Sequence, residues 1–375
     1  MTKIPFKIET TAHSLVSVLK LADKIIERRN TIPVLSMVLF DGARVRATDL
    51  DMEIDIALPV TFSQGSAALD HGALFNLVRH LPRDEAVKLS AEDGRAVISF
   101  SSGHYRIPAL PAEDFPKLDI GQTTVLPIDG DELKRALYFT SPFISKEETR
   151  YYLNGVCLDG GNVVATDGHR LGLFPTQKDY AATKRMIVPR KVVSIINGLP
   201  APIGFEFSAK PGLRLQYDGL TITAKAIDGT FPDWTRVVPS FKDEHPCATF
   251  DRVTAQRAIG RILSVMQDQT RHGILAFRNG RISLKQQSGE LAASEIIQAD
   301  TAEEMAVGLN LKYLSQIIRS FPAGGALTLH VSDAQSPTKI TQDARGEFVV
   351  LMPTRADDAL MKSAFSDLRD GGPAA

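Results

Sequence analysis

Apolar positions along this chain switch repeatedly between two periods. Spacings of three and four residues run through 13–29 (HSLVSVLKLADKIIERR), 129–144 (DGDELKRALYFTSPFI) and 251–268 (DRVTAQRAIGRILSVMQD), which predicts amphipathic helices. A second set of helical segments, each closed by proline, covers 73–82 (ALFNLVRHLP), 190–200 (RKVVSIINGLP) and 311–322 (LKYLSQIIRSFP). Alternating or uninterrupted apolar runs between them predict strands. These are VLSMVLF (34–40), VRATDLDMEIDIAL (45–58), NGVCLDGGNVVATD (154–167), LRLQYDGLTITAKAI (213–227) and GILAFRNGRISLKQQ (273–287).

Laid against itself, the chain repeats. The tripeptide Ala47–Asp49 returns as Ala165–Asp167, and Phe115–Pro116 returns as Phe231–Pro232. The prolines closing the second helices are Pro82, Pro200 and Pro322, and Arg150 in EETR is matched by Arg271 in DQTR. All of these recur at roughly 120 residues, which points to tandem copies of one module. The expected class is therefore α+β: three tandem copies of a two-helix, antiparallel-sheet module. The expected boundaries are 1–124, 125–246 and 247–356, followed by a C-terminal extension over 357–375 that is either flexible or laid over a neighbouring pocket. Turn-rich seams at 120–128 and 238–250 set the two internal boundaries.

Composition narrows the class. With 43% hydrophobic and 23% charged residues, the chain is of ordinary globular make-up. It has no apolar run near the roughly 20 residues that span a bilayer, and the N-terminal MTKIPFKIETTAHS has no signal-peptide core. Its two cysteines, Cys157 and Cys247, make neither a disulfide framework nor a metal pair, so a cytoplasmic location is expected. The formal net charge of −1 argues against tight phosphate gripping. The cations are not evenly spread, however. Lys20, Lys24, Arg28 and Arg29, then Arg252, Arg257 and Arg261, sit on the first helices of two modules. Arg79 and Arg83, Arg190 and Lys191, and Lys312 and Arg319 mark the second helices. Acidic residues such as Asp49, Asp51, Glu53, Asp55 and Asp159 occupy strands and loops instead. Helices four residues to a face would then carry basic stripes, suited to facing DNA without holding it tightly.

The stretch ATDGHRLG (165–172) poses the question of chemistry. Asp167 and His169 could form a catalytic pair of a hydrolase, a metal site, or a tight turn. A catalytic reading needs a nucleophile and a third partner, yet the chain has no GxSxG, HExxH, phosphate-binding loop or Cys/His cluster. No catalytic residue, no metal and no cofactor is expected.

Several segments carry a family resemblance: RRNTIPVLSMVLF (28–40), ATDLDMEI (47–54), LPAEDFPKL (110–118), ETRYYLNGVCL (148–158), ATDGHRLG (165–172), IVPRK (187–191), FPDWTRVVP (231–239), VGLNLKYL (307–314) and VVLMPTR (349–355). In this order the chain resembles the bacterial β sliding clamps, the processivity subunits of DNA polymerase III. The resemblance implies a homodimer closing a ring with helices inside, double-stranded DNA held topologically and without sequence preference, and no chemistry of its own. The implied partners are the polymerase III catalytic subunit, the clamp loader and other clamp-motif proteins. A partner-peptide pocket is implied at Leu153, Thr166, Gly168, His169, Arg170 and Leu171, at Pro232, Arg236 and Val237, and at Tyr313, Val350, Met352, Pro353 and Arg355. Such a pocket needs apolar walls and a few orienting polar groups, which these residue types supply. DNA contact is implied at Arg29, Tyr151, Tyr152 and Lys191, with Arg79 and Arg190 beside them, and Arg106 and Phe115 fall near the expected subunit seam. Two departures, Thr354 where the family has Met and the extension after Arg355, raise an accessory or inhibitor-resistant paralogous clamp as the alternative. Glu147 adds an acid next to the tyrosines.

Overall fold

The computed structural model describes residues 5–27, 31–92, 94–178, 185–208, 210, 212–240, 247–266, 272–301, 303–342, 346–355 and 357–369. Contacts divide the chain into two compact units, 1–131 with 194–226, and 132–193 with 227–375. Each unit contains one large antiparallel sheet with helices against it, so the architecture is α+β. Thirteen strands make the sheet of the first unit and twelve that of the second.

Six helices pair with the six predicted segments. They are α1 (Ala12–Ala22), α2 (His71–Val78), α3 (Gly130–Thr140), α4 (Arg190–Asn197), α5 (Arg252–Val265) and α6 (Leu311–Ser320). The starts of α1, α2, α5 and α6 are capped by side chains that accept otherwise unpaired backbone N–H groups. Thr11 accepts from Ser14 and Asp70 from Ala73, while Asp251 accepts from Thr254 and Asn310 from Lys312 and Tyr313. The helices are shorter than the apolar periodicity. α3 gives way to a 3-10 turn at Ser141–Phe143, because the ring of Pro142 lacks the N–H that would continue the ladder. The buried faces follow the three-four spacing, as in α1 with Leu15, Val18, Leu19 and Ala22, and α6 with Leu311, Leu314, Ile317 and Ile318.

The second unit carries the candidate site. In its sheet the hairpin Asn162–Thr166 and Arg170–Pro175 pairs on one side with Gly155–Asp159. On the other side Arg170–Pro175 pairs with Phe348–Leu351 of the third repeat, with Arg170 opposite Leu351 and Leu171 opposite Val350. One ladder thus joins residues almost 180 positions apart in sequence. Gly172 makes the packing beneath it possible, since a Cβ there would run into the Phe143 ring.

Of the extension, 357–369 are described, while its DGGPAA end, 370–375, lies outside the described residues. Residues Asp358–Arg369 form a seventh helix, α7, that packs on strands His272–Arg278 and Arg281–Ser288 and does not lie over the pocket described below. Its Ala364 and Leu368 are buried against Ile274, Ala276 and Ala306, with Leu360, Met361 and Phe365 partly buried alongside. The spacing of these five follows a helical stripe, and the sheet face beneath them is apolar. Asp367 accepts from Lys285 Nζ at 2.9 Å and from Ser294 Oγ at 2.7 Å, and Arg278 lies over the Phe365 ring. Phe115 is buried in a cluster with Met37, Leu39 and Ala68, and Arg106 is exposed. No helix among the described residues is long and apolar enough to cross a membrane.

Candidate functional site

The ATD tripeptide is a turn device used twice. At Thr166 the hydroxyl donates to the Arg170 carbonyl (2.9 Å) and accepts from the Gly168 N–H (3.1 Å). Asp167 then accepts from the His169 and Arg170 N–H groups, both at 3.0 Å. In the first repeat Thr48 donates to the Met52 carbonyl (2.8 Å) and accepts from the Leu50 N–H, and Asp49 accepts from the Asp51 and Met52 N–H groups. The third position of both turns has positive φ, +85° at Gly168 and +76° at Leu50. Glycine adopts that backbone without steric cost, whereas leucine does so under strain.

This geometry decides the chemistry of Asp167. One carboxylate oxygen closes the turn and the other accepts from Arg170 Nε at 3.1 Å, so the group is committed to structure. The His169 ring is stacked on Tyr313 with centroids 6.0 Å apart. Among the described residues no cluster of three His, Cys, Asp or Glu side chains is set to hold a metal.

Leu171 begins the apolar floor. It is buried with Leu153, Cys157, Val164, Leu173, Ile187, Phe231 and Val350, and Tyr152 and Trp234 pack at the edge. Above this cluster opens a cavity of about 250 Å³. Nine of the predicted pocket residues line it: Leu153, Thr166, Gly168, Arg170 and Leu171 from the second repeat, Pro232 and Val237 from the segment after it, and Val350 and Met352 from the last strand and its exit. The His169 carbonyl accepts from the Met352 N–H at 2.9 Å, which ties the turn to the third repeat.

Five predicted residues do not line this cavity. His169 and Tyr313 line a larger neighbouring groove of about 840 Å³, which Arg170 also borders. Arg236 is 82% exposed and lies on Asp233 at 3.1 Å. Asp233 has its carboxyl held below the usual range, first by the Thr235 hydroxyl and then by Arg236. Pro353 is half-buried and Arg355 exposed, and neither is a wall. Thr354 is likewise absent from the lining; its N–H donates to the Gly308 carbonyl and its hydroxyl is buried. Thr354 therefore contributes nothing to the cavity walls.

Four lining residues were outside the sequence-based set for this pocket: Arg150, Tyr152, Asp233 and Trp234. Trp234 donates from its indole nitrogen to Asp159 at 2.8 Å, a pairing that FPDW alone cannot reveal. Asp159 in turn holds Arg185 at 2.9 Å. Arg170 spans the two depressions. It is buried, donates to the Pro142 carbonyl at 2.8 Å, and lies over the Tyr313 ring at 4.4 Å and the Phe143 ring at 5.4 Å. Stacking and hydrogen bonding use Arg's planar fork, which lysine lacks.

The predicted DNA-contact set is scattered in its environments. Tyr151 is 54% exposed while Tyr152 packs inward against the pocket cluster, the two rings edge-to-face at 5.8 Å. Arg79 and Lys191 are exposed on helix surfaces, Arg190 borders the larger groove, and Arg29 lies outside the described residues. Glu147 is paired with Arg150 at 3.1 Å.

Known proteins resemble this chain in both sequence and fold. Residues 4–119 match the model of the DNA polymerase III beta subunit N-terminal domain, and 127–233 match that of its central domain. The Beta sliding clamp of Caulobacter vibrioides is 34% identical over 93% of this chain and 100% of its own length. The Pseudomonas aeruginosa Beta sliding clamp is 28% identical over 81% and 88%. Among solved structures, the C. crescentus beta sliding clamp with bound polyethylene glycol superposes with a TM-score of 0.86 at 32% identity, covering 94% of this chain and 99% of that one. The P. aeruginosa clamp bound to griselimycin gives 0.84 at 26%, covering 94% and 100%. Sequence models, full-length relatives and three-dimensional likeness agree: the chain belongs to the bacterial beta sliding clamps, the beta subunits of DNA polymerase III.

Proposed function

We propose that two copies of this protein close a ring around duplex DNA in the cytoplasm and hold it by enclosure, with no catalytic activity of their own. The three modules of this ring are 1–124, 125–246 and 247–356. The exposed cations Arg79, Arg190 and Lys191, together with Arg29, give weak, salt-sensitive, sequence-independent contact with phosphates, and Tyr151 offers a ring for stacking. The near-neutral net charge of −1 suits a protein that must slide.

The 250 Å³ apolar cavity is the tether for the polymerase III catalytic subunit, the clamp loader and other proteins that carry a short clamp-binding peptide. The observation behind this assignment is that Leu153, Leu171, Pro232, Val237, Val350 and Met352, drawn from distant parts of the sequence, meet around one opening edged by Arg170. Aliphatic walls with few polar groups suit an extended peptide with apolar anchors. His169, Tyr313, Arg236, Pro353 and Arg355 form the outer rim of the same surface. The accessory-paralogue alternative rested on Thr354 and the extension, and neither touches this cavity.

After loading onto nicked circular DNA, the protein is expected to be retained through gel filtration and lost once the circle is linearised. Equal retention on both forms removes the topological reading. Assaying the same preparation for hydrolysis, with His169→Ala as control, tests the absence of catalysis.

A further inference from the structure

The groove beside the peptide cavity carries a charge pattern that the tethering function alone does not use. Its border includes Lys146, Arg170, Arg190, Lys312 and Arg319, against only two acids, Glu147 and Asp167. Both acids are already paired, Glu147 with Arg150 and Asp167 with Arg170. Lys312 and Arg319 are exposed at the two ends of α6, seven residues apart and therefore on one face of the helix. Arg190 donates to the Ser145 carbonyl at 3.3 Å. Apart from the aliphatic Pro142 and Ile144, the rest of the border is polar or aromatic, with Gln316, Ser141 and the 61%-exposed Tyr138.

We infer that this groove receives acidic residues flanking the apolar anchor of a partner's clamp-binding peptide, and so ranks partners by flank charge. The inference rests on the peptide reading of the adjoining cavity. Two observations select a peptide as the occupant. The groove adjoins the cavity, with Arg170 as their common border, so a chain anchored in one has the other within reach. At about 840 Å³ it is a cleft within one unit of the chain, too small for a duplex some 20 Å across but ample for several extended residues. Carboxylates entering it meet Lys146, Lys312 and Arg319 at positions where water still screens the pairs, so each pair is worth little and the sum is modest.

The test uses the full-length protein and three synthetic peptides sharing one apolar clamp-motif anchor: one with neutral Gln/Ser flanks, one with three Glu before the anchor, one with three Glu after it. Fluorescence anisotropy at 50 mM salt is expected to give about tenfold tighter binding for one acidic peptide than for the neutral one. That is about 1.4 kcal/mol, and it falls to within twofold at 500 mM salt as screening shortens. In Lys312→Glu/Arg319→Glu the acidic gain vanishes while the neutral peptide is unchanged; Lys312→Ala/Arg319→Ala loses most of it, and both pairs of substitutions are at exposed positions. Equal affinity of all three peptides for the wild type overturns the inference, as does a gain that survives both double variants. Binding of a single-stranded oligothymidylate that depends on Lys312 and Arg319, with no flank effect, assigns the groove to nucleic acid and also overturns it. Failure of the neutral peptide to bind at all is a different result: it removes the cavity reading itself, and this inference with it.

Discussion

Asp367 is the residue on which the docking of α7 should turn. Its carboxylate and the Lys285 ammonium are 12% and 15% exposed and 2.9 Å apart, so neither charge is well solvated. The same oxygen accepts from Ser294, and Lys285 also donates to Ser363 at 2.7 Å. Removing one partner of a buried pair costs about 3–5 kcal/mol, because the other charge stays behind without compensation. Here Ser363 and the residual exposure of Lys285 soften that loss, so Asp367→Ala should cost about 2–3 kcal/mol. Local opening of α7 would rise about 30- to 150-fold. Global unfolding of a multi-module chain is a poor gauge of this. The suitable assays are hydrogen exchange over 358–369 and the rate of tryptic cleavage after Lys362, both of which follow the open population. Replacing both partners, Lys285→Met with Asp367→Leu, should restore most of the protection, since an apolar pair leaves no unpaired charge. Unchanged exchange in Asp367→Ala, or a double variant as open as the single one, would refute the argument.

Two further outcomes follow from the site and its surroundings. Leu171→Ala removes the floor of the cavity and should weaken an anchor peptide at least tenfold by calorimetry, on a protein verified as folded because truncating a buried Leu also costs about 2–5 kcal/mol of stability; Arg236→Ala, at an exposed rim position, should change it less than about threefold, and equal effects would misplace the pocket. His330 has a pKa lowered by burial and then by Lys339, so in acid the unfolded chain takes up its proton first: stability should fall as pH drops from about 6.5 toward the lower folded value and level off below it. His330→Gln should flatten that slope in urea titrations at successive pH values, and an unaltered slope assigns it to other groups.

Much of the architecture was readable along the chain because it rests on local chemistry. Six helices announced themselves through apolar stripes, and the recurrence of ATD exposed the repeat because both copies need Thr and Asp to satisfy the same turn. Periodicity overshot the helix ends, at Pro142 for example, since an apolar stripe continues past the point where the backbone can. The seat of the last helix was out of reach for a related reason. ALMKSAF carries a helical stripe, but a stripe says only that something covers it, and the sheet face formed by Ile274, Ala276 and Ala306 exists only after folding.

The candidate site divides in the same way. Residue types and the family pattern singled out Leu153, Leu171, Val350 and Met352, whose meeting the folded sheet then accounts for by pairing Leu171 with Val350. Trp234 and Asp233 escaped notice because their place at the cavity follows from partners far away in sequence, Asp159 above all. The amino-acid order by itself determined the elements, the turn at Asp167 and the absence of recognisable catalytic motifs, since these depend on neighbours within a few positions. Only the tertiary structure decided that Arg170 borders two depressions at once, that His169 belongs to the second of them, and that the last helix braces a sheet. Those outcomes depend on which distant surfaces exclude water together, and no short stretch of sequence encodes that.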